Sequence, residues 1–88
     1  MKVFFHKYFR KRFVKFPEKI QNKFDIQLEL FYKNIYDERL SNHELHGKYM
    51  NCRSINVTGD IRAVYRKVGT TTDDVLFIDI GTHAELYS

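Results

Sequence analysis

Residues Arg53 to Arg66, RSINVTGDIRAVYR, carry the clearest alternation in the chain. Ile55 and Val57 alternate with Ser54 and Asn56, Thr58-Gly59 signals a turn, and an apolar run from Ile61 returns. A period of two bounded by a glycine turn predicts a half-buried hairpin. Two registers fit the spacing. A two-residue loop pairs Val57 with Asp60 and puts Asp60 and Arg62 on the apolar face. A three-residue loop, Thr58-Gly59-Asp60, pairs Val57 with Ile61 instead. Ile55, Val57, Ile61, Ala63 and Tyr65 then share one face, with Ser54, Asn56, Arg62 and Arg66 on the other. The second register separates apolar from polar and is the one expected.

On the C-terminal side, Gly69 to Asp74 reads as a turn, followed by a nearly continuous apolar strand from Val75 to Ile80. Such a run suits a central strand. The expected arrangement has Leu76, Ile78 and Ile80 facing inward, with Phe77 and Asp79 turned outward beside Arg62 and Arg66. On the N-terminal side, Val3 to Phe5 is a short strand. Phe9, Phe13 and Phe16 recur at helical spacing between basic residues, and Pro17 fits the first position of a second helix. The stripe Ile20, Phe24, Leu28, Phe31 and Ile35 extends that helix to about Asn34. Tyr36 to Lys48 is polar and ends near Gly47, so it reads as a crossing loop. These elements predict an α+β fold in one domain, residues 1–88. Two N-terminal helices pack on one face of a small antiparallel β-sheet after a short N-terminal strand, and the far face is open, polar and basic.

Eighty-eight residues allow one core, and the 43% hydrophobic content, with eight Phe and six Tyr, is enough to fill it. A single Cys excludes an intramolecular disulfide framework and points to a reducing cytoplasm. No apolar run approaches the roughly 20 residues needed to span a bilayer. The net charge is +4 and the sequence pI about 9.3. Lys2, Lys7, Arg10, Lys11, Arg12, Lys15, Lys19 and Lys23 crowd the first quarter, a field suited to a polyanion.

Cleaving RNA without a metal needs a base for the 2′-OH, an acid for the leaving 5′-oxygen, and cations for the phosphorane charge. His43 and His83 are the candidates for proton transfer, with Asp60 as an alternative base or an orienting group. Arg62 and Arg66, with Arg53, are candidates for holding the phosphate, and Tyr87 for stacking on a base. Each also has a purely structural reading: Asp60 as a turn residue, Tyr87 as terminal packing, the arginines as solvated strand positions. His43, His46, Cys52 and His83 lack the spacing of a metal site, and neither a phosphate-binding glycine loop nor a nucleophile elbow occurs. No cofactor is expected.

With these residues in place, the chain resembles the RelE/ParE superfamily of toxins from type II toxin–antitoxin systems, and within it the YafQ-like branch. The resemblance rests on Asn42-His43-x-Leu45-x-Gly47, Arg53-Ser54-Ile55-x-Val57, Gly59-Asp60-Ile61-Arg62-x-Val64-Tyr65 and Gly81-Thr82-His83-x-Glu85-Leu86-Tyr87. It implies a cytoplasmic prokaryotic mRNA interferase, a metal-independent endoribonuclease acting on mRNA at the ribosome and silenced by an antitoxin with an acidic segment. It also implies His43, Asp60, His83 and Tyr87 as site residues; with Arg62 they form the expected catalytic set, and Lys48, Arg53, Asn56 and Arg66 are expected toward RNA. Asn56 stands where that branch can carry histidine, and Asp79 where it can carry arginine. An acid at position 79 adds negative charge beside the scissile phosphate, or pairs with Arg62 and Arg66. Two rivals follow: a ParE-like inhibitor of DNA gyrase, and a homologue that only binds antitoxin.

Overall fold

The computed structural model describes residues 1–87. Five strands, β1 (Val3–Phe5), β2 (His43–Glu44), β3 (Arg53–Asn56), β4 (Ile61–Lys67) and β5 (Val75–Thr82), form one sheet in the order β1-β5-β4-β3-β2. The helices are α1 (Lys7–Phe13), α2 (Glu18–Lys33) and α3 (His83–Tyr87), and single 3₁₀ turns occur at Glu38–Leu40 and Gly47–Tyr49. The sheet is mixed. β1 runs parallel to β5, and every other pair is antiparallel.

The helix boundaries follow from local chemistry. His6 caps α1 by accepting the Tyr8 N–H on Nδ1. Pro17 lies one position before α2 rather than inside it, and its carbonyl accepts the Ile20 and Gln21 N–H groups. Gln21 Nε2 in turn donates to Phe13 O and Phe16 O, tying the first turns of α2 to the end of α1 and the link after it. Asp37 caps the 38–40 turn, and the adjacent Arg39 holds its carboxyl down to about 2.

The hairpin takes the three-residue loop. Ile55 faces Ala63, Asn56 faces Arg62, and Val57 N–H donates to Ile61 O at 2.7 Å. Thr58 Oγ1 accepts the N–H groups of Asp60 and Ile61, which fixes the turn. Ile55, Val57, Ala63 and Tyr65 are buried beneath the helices with Phe9, Phe24 and Phe31.

β5 departs from simple alternation. Val64 pairs with Asp79 but Tyr65 pairs with Phe77, so Ile78 is an extra residue in a β-bulge. Both Phe77 and Ile80 therefore face the helices, correcting the expected outward position of Phe77. Phe77 is the aromatic hub, with ring centroids 5.4–5.8 Å from Phe5, Phe9, Phe24, Phe31 and Tyr65. Removing such a ring costs about 3–5 kcal/mol. Ile78 turns to the other side, and Leu76 alternates away from Phe77; neither faces the helices as expected.

The far face is also not open along its length. Leu45, Cys52, Val64 and Leu86 form a second small core there, joined by Tyr49, Ile78 and Tyr87. The segment from Leu45 to Cys52 and helix α3 fold over the sheet to make it. The polar opening that remains lies toward β2 and the hairpin end. Among the described residues no helix is long and apolar enough to cross a membrane.

Candidate active site

Arg62 lies at the centre of the polar opening. Its Nε donates to Ser54 Oγ at 2.8 Å, and its Nη2 donates to Ser41 O at 2.7 Å and to Ser54 O at 3.2 Å. The same Nη2 stands 3.1 Å from His43 Nδ1. Burial draws the Arg62 pKa down from its usual value, opposed by the nearby Tyr87 hydroxyl. A guanidinium remains charged under such conditions. The result is a fixed, partly desolvated cation beside a histidine.

His43 reaches this point because β2 pairs it with Ser54, which is fully buried. Ser41, just before, adopts a left-handed conformation at φ 46. That turn presents its carbonyl to both Arg62 Nη2 and His43 Nδ1, the latter at 3.0 Å. In the tautomer whose Nδ1–H donates to Ser41 O, the outward Nε2 keeps its lone pair.

α3 supplies the other half. Thr82 and Glu85 form a capping box: Glu85 N–H donates to Thr82 Oγ1 at 3.2 Å, and Thr82 N–H donates to Glu85 Oε1 at 2.7 Å. This cap fixes the start of a helix whose first residue is the exposed His83. The His83 ring lies 4.5 Å from that of Tyr87, centroid to centroid. Tyr87 also meets Tyr49 edge-on at 6.1 Å. The Tyr87 hydroxyl is buried and has no hydrogen-bond partner among the described residues. With its ring flanked by His83 and Tyr49, Tyr87 packs within the protein and leaves no free stacking face.

Asp60 is exposed in the hairpin turn. Ile61 pairs with Thr82, and Arg62 with Gly81, so Asp60 and His83 flank the same end of the sheet. His43, Arg62 and Tyr87 are thus brought together, with His83 against Tyr87 and Asp60 at the margin.

The other candidates disperse. Arg53 points to the helix side, where its Nε donates to Asn42 Oδ1 at 2.8 Å and its guanidinium sits 5.5 Å over the Tyr36 ring. It shares a cleft of about 740 Å³ with a second candidate, Arg66, and with Tyr32, Tyr65 and Lys67. Asn56 lies against Gln27 of α2, which also donates to Asn56 O and Arg39 O. Arg66 is exposed and donates to Lys67 O, and Lys48 lies 5.2 Å over the Tyr49 ring.

Asp79 pairs with neither Arg62 nor Arg66. It forms an ion pair with Arg12 of α1, Nη1 to Oδ1 at 3.0 Å, and accepts the Tyr49 hydroxyl on Oδ2 at 2.7 Å. Its own following amide, Ile80 N–H, also donates to Oδ1. The acid that fitted a nuclease least is therefore neutralised from the opposite side of the strand. Arg12, Tyr49, Ser54 and Glu85 were not among the candidate site residues read from the sequence. The Thr82-x-x-Glu85 spacing, that of a capping box, is the signal that could have found Glu85.

The chain is similar to solved structures over nearly its whole length. YafQ from E. coli strain BL21(DE3) matches with 23% identity and a TM-score of 0.77, covering 99% of this chain and 98% of that one. A YoeB/ParE toxin from Agrobacterium tumefaciens matches with 16% identity and a TM-score of 0.76, covering 94% and 99%. An E. coli DinJ–YafQ toxin–antitoxin complex matches with 24% identity and a TM-score of 0.74, covering 99% and 97%. No curated protein matches. At these identities the structures establish a shared fold. The model of the family described as bacterial toxin of type II toxin–antitoxin system, YafQ, matches residues 1–88, and the chain belongs to that family.

Proposed function

We propose that this toxin is a metal-independent endoribonuclease that cuts mRNA on the ribosome in the bacterial cytoplasm. The observation that carries the reading is the Arg62 guanidinium, tethered by Ser41 and Ser54, beside His43 Nδ1. A held cation next to a proton-transfer group is what phosphoryl transfer to a 2′-oxygen requires.

In this mechanism a base, His43 or alternatively Asp60, takes the 2′-OH proton, and the 2′-oxygen attacks phosphorus. Arg62 stabilises the charge on the phosphorane oxygens, and the Tyr87 ring holds His83 in place. His83 protonates the leaving 5′-oxygen. The products are a 2′,3′-cyclic phosphate, or the 3′-phosphate after water opens it, and a 5′-hydroxyl. Each proton transfer accounts for about 10²–10⁴ in rate.

The partner is an antitoxin with an acidic segment. Lys7, Arg10, Lys11, Lys15, Lys19 and Lys23, all exposed, supply a complementary field. Expression without antitoxin, followed by mapping of the 5′ ends of cellular mRNA, tests the activity: cuts in phase with codons are expected. Intact mRNA with blocked DNA supercoiling overturns the nuclease in favour of a gyrase inhibitor. If His83→Ala and Asp60→Ala inhibit growth as strongly as the parent, the site is wrongly assigned.

A further inference from the structure

We infer that Arg12, on the basic helix α1, is a positioning residue for His83 and Tyr87. The inference deepens the nuclease reading above, but its central measurement does not depend on that reading. A five-residue helix has too few hydrogen bonds to hold itself in water, so α3 needs outside anchors. Leu86, buried in the second core, is one. Arg12 supplies the others.

Alone among the basic residues of the first quarter, Arg12 is half-buried rather than exposed. β1 covers only Val75 to Phe77 of β5, so the end of β5 is left as an edge. Arg12 passes that edge to the far face. Its fork then divides: Nη1 meets Asp79 Oδ1 at 3.0 Å, and Nη2 meets Glu85 Oε2 at 3.2 Å. Glu85 Oε1 holds Thr82 N–H, which sets the start of α3 and the place of His83. Asp79 Oδ2 holds the Tyr49 hydroxyl, and the Tyr49 ring sets the edge of Tyr87 at 6.1 Å. One guanidinium thus fixes both ends of α3.

Gly81 is the position that admits this crossing. A Cβ there would stand 2.8 Å from Arg12 Nη2 and 3.2 Å from Glu85 Oε1. Lysine has a single ammonium and no planar fork, so it cannot make both contacts with the same geometry. The Arg12 and Asp79 side chains are 26% and 11% exposed, which reduces solvent screening of their pair.

The test compares Arg12→Met, Arg12→Lys and the exposed control Lys33→Met at the end of α2. Amide exchange of residues 83–87 and the His83 ring resonances are measured, along with cleavage of ribosome-bound mRNA. In Arg12→Met, α3 amides should exchange about tenfold faster or more, and the His83 signals should lose the ring-current shift from Tyr87. The turnover rate should fall by about tenfold or more with little change in KM. Arg12→Lys should recover only part of this, and Lys33→Met should match the parent. If Arg12→Met unfolds the protein, Glu85→Gln serves instead, because it keeps the capping-box acceptor and loses only the ion pair; a smaller loosening of α3 is expected. Unchanged exchange and unchanged His83 signals in the folded variant overturn the proposal. Loosened α3 in a parent chain that cuts no RNA keeps Arg12 as the anchor and sinks the nuclease reading instead.

Discussion

The Ser41 carbonyl, presented by a residue at φ 46, accepts the Arg62 guanidinium at 2.7 Å. A left-handed serine costs about 1–2 kcal/mol, and the charge-assisted hydrogen bond offsets that cost. Arg62→Lys cannot reach Ser41 O and Ser54 Oγ together. Stability should fall by about 1–3 kcal/mol, and single-turnover cleavage by about 10²-fold or more. Ser41→Gly keeps the carbonyl and relieves the strain, so denaturant unfolding should show a change within about 1 kcal/mol and cleavage should persist. Full activity in Arg62→Lys would remove Arg62 from the site.

Asp60 offers a cleaner separation of fold from chemistry. Its turn is held through its backbone N–H and Thr58 Oγ1, not through its carboxylate. Asp60→Asn should therefore change stability by no more than about 0.5 kcal/mol. If the carboxylate is the base, cleavage drops by about 10²-fold or more; parental cleavage leaves that task to His43.

Acid should release α3 before it melts the core. The Glu85 carboxyl is held below its usual 4.5, chiefly by the Thr82 backbone N–H, then by the Thr82 hydroxyl and Arg12. A depressed folded value means the stabilisation is present above the unfolded value and is lost as pH falls through the folded one. Amide signals of residues 83–87 should lose dispersion below pH 4.5, while those of the Phe77 core persist. Simultaneous loss of both sets would argue against a separately held helix.

Tyr49→Phe deletes the donor on Asp79 Oδ2. Burial and the Asp79 carboxylate push the Tyr49 pKa upward, so the hydroxyl remains a donor in neutral solution. Its removal should cost about 1–3 kcal/mol, or about 4–8 °C in Tm per kcal/mol for a domain of this size. A thermal scan matching the parent would show that Arg12 alone satisfies Asp79.

Cys52 is buried in the second core, and burial pushes its thiol pKa up. Iodoacetamide should label it at least about tenfold more slowly in the native protein than in urea. Equal rates would mean that the segment from Leu45 to Cys52 opens freely.

The hairpin was readable because one face is apolar and the other is not: a one-residue slip would have buried Asp60 and Arg62. The same logic failed in β5, where Val75 to Ile80 is apolar on both sides and alternation carries no register. The bulge at Ile78 and the inward turn of Phe77 follow from pairing with β4, which local sequence does not encode. The second core was missed for a related reason, since Leu45, Cys52, Val64 and Leu86 are scattered singly along the chain. His43, Arg62, His83 and Tyr87 were legible as chemistry. Arg12 was not, because nothing among the basic residues of α1 distinguishes the one that crosses to Asp79, 67 positions away.

The place of β5 between β1 and β4 bears on how the protein comes into being during synthesis. β1 is the first strand made, yet among the described residues it pairs with β5 alone, whose residues follow those of every other strand. Until Val75 to Phe77 emerge from the ribosome, β1 has no ladder to join and Phe77 is missing from the middle of the aromatic core. Arg12 likewise has neither Asp79 nor Glu85 to grip. Nascent fragments that stop short of β5 should remain unfolded and harmless, so a bacterium making this toxin meets its activity only after nearly all of the fold has been translated.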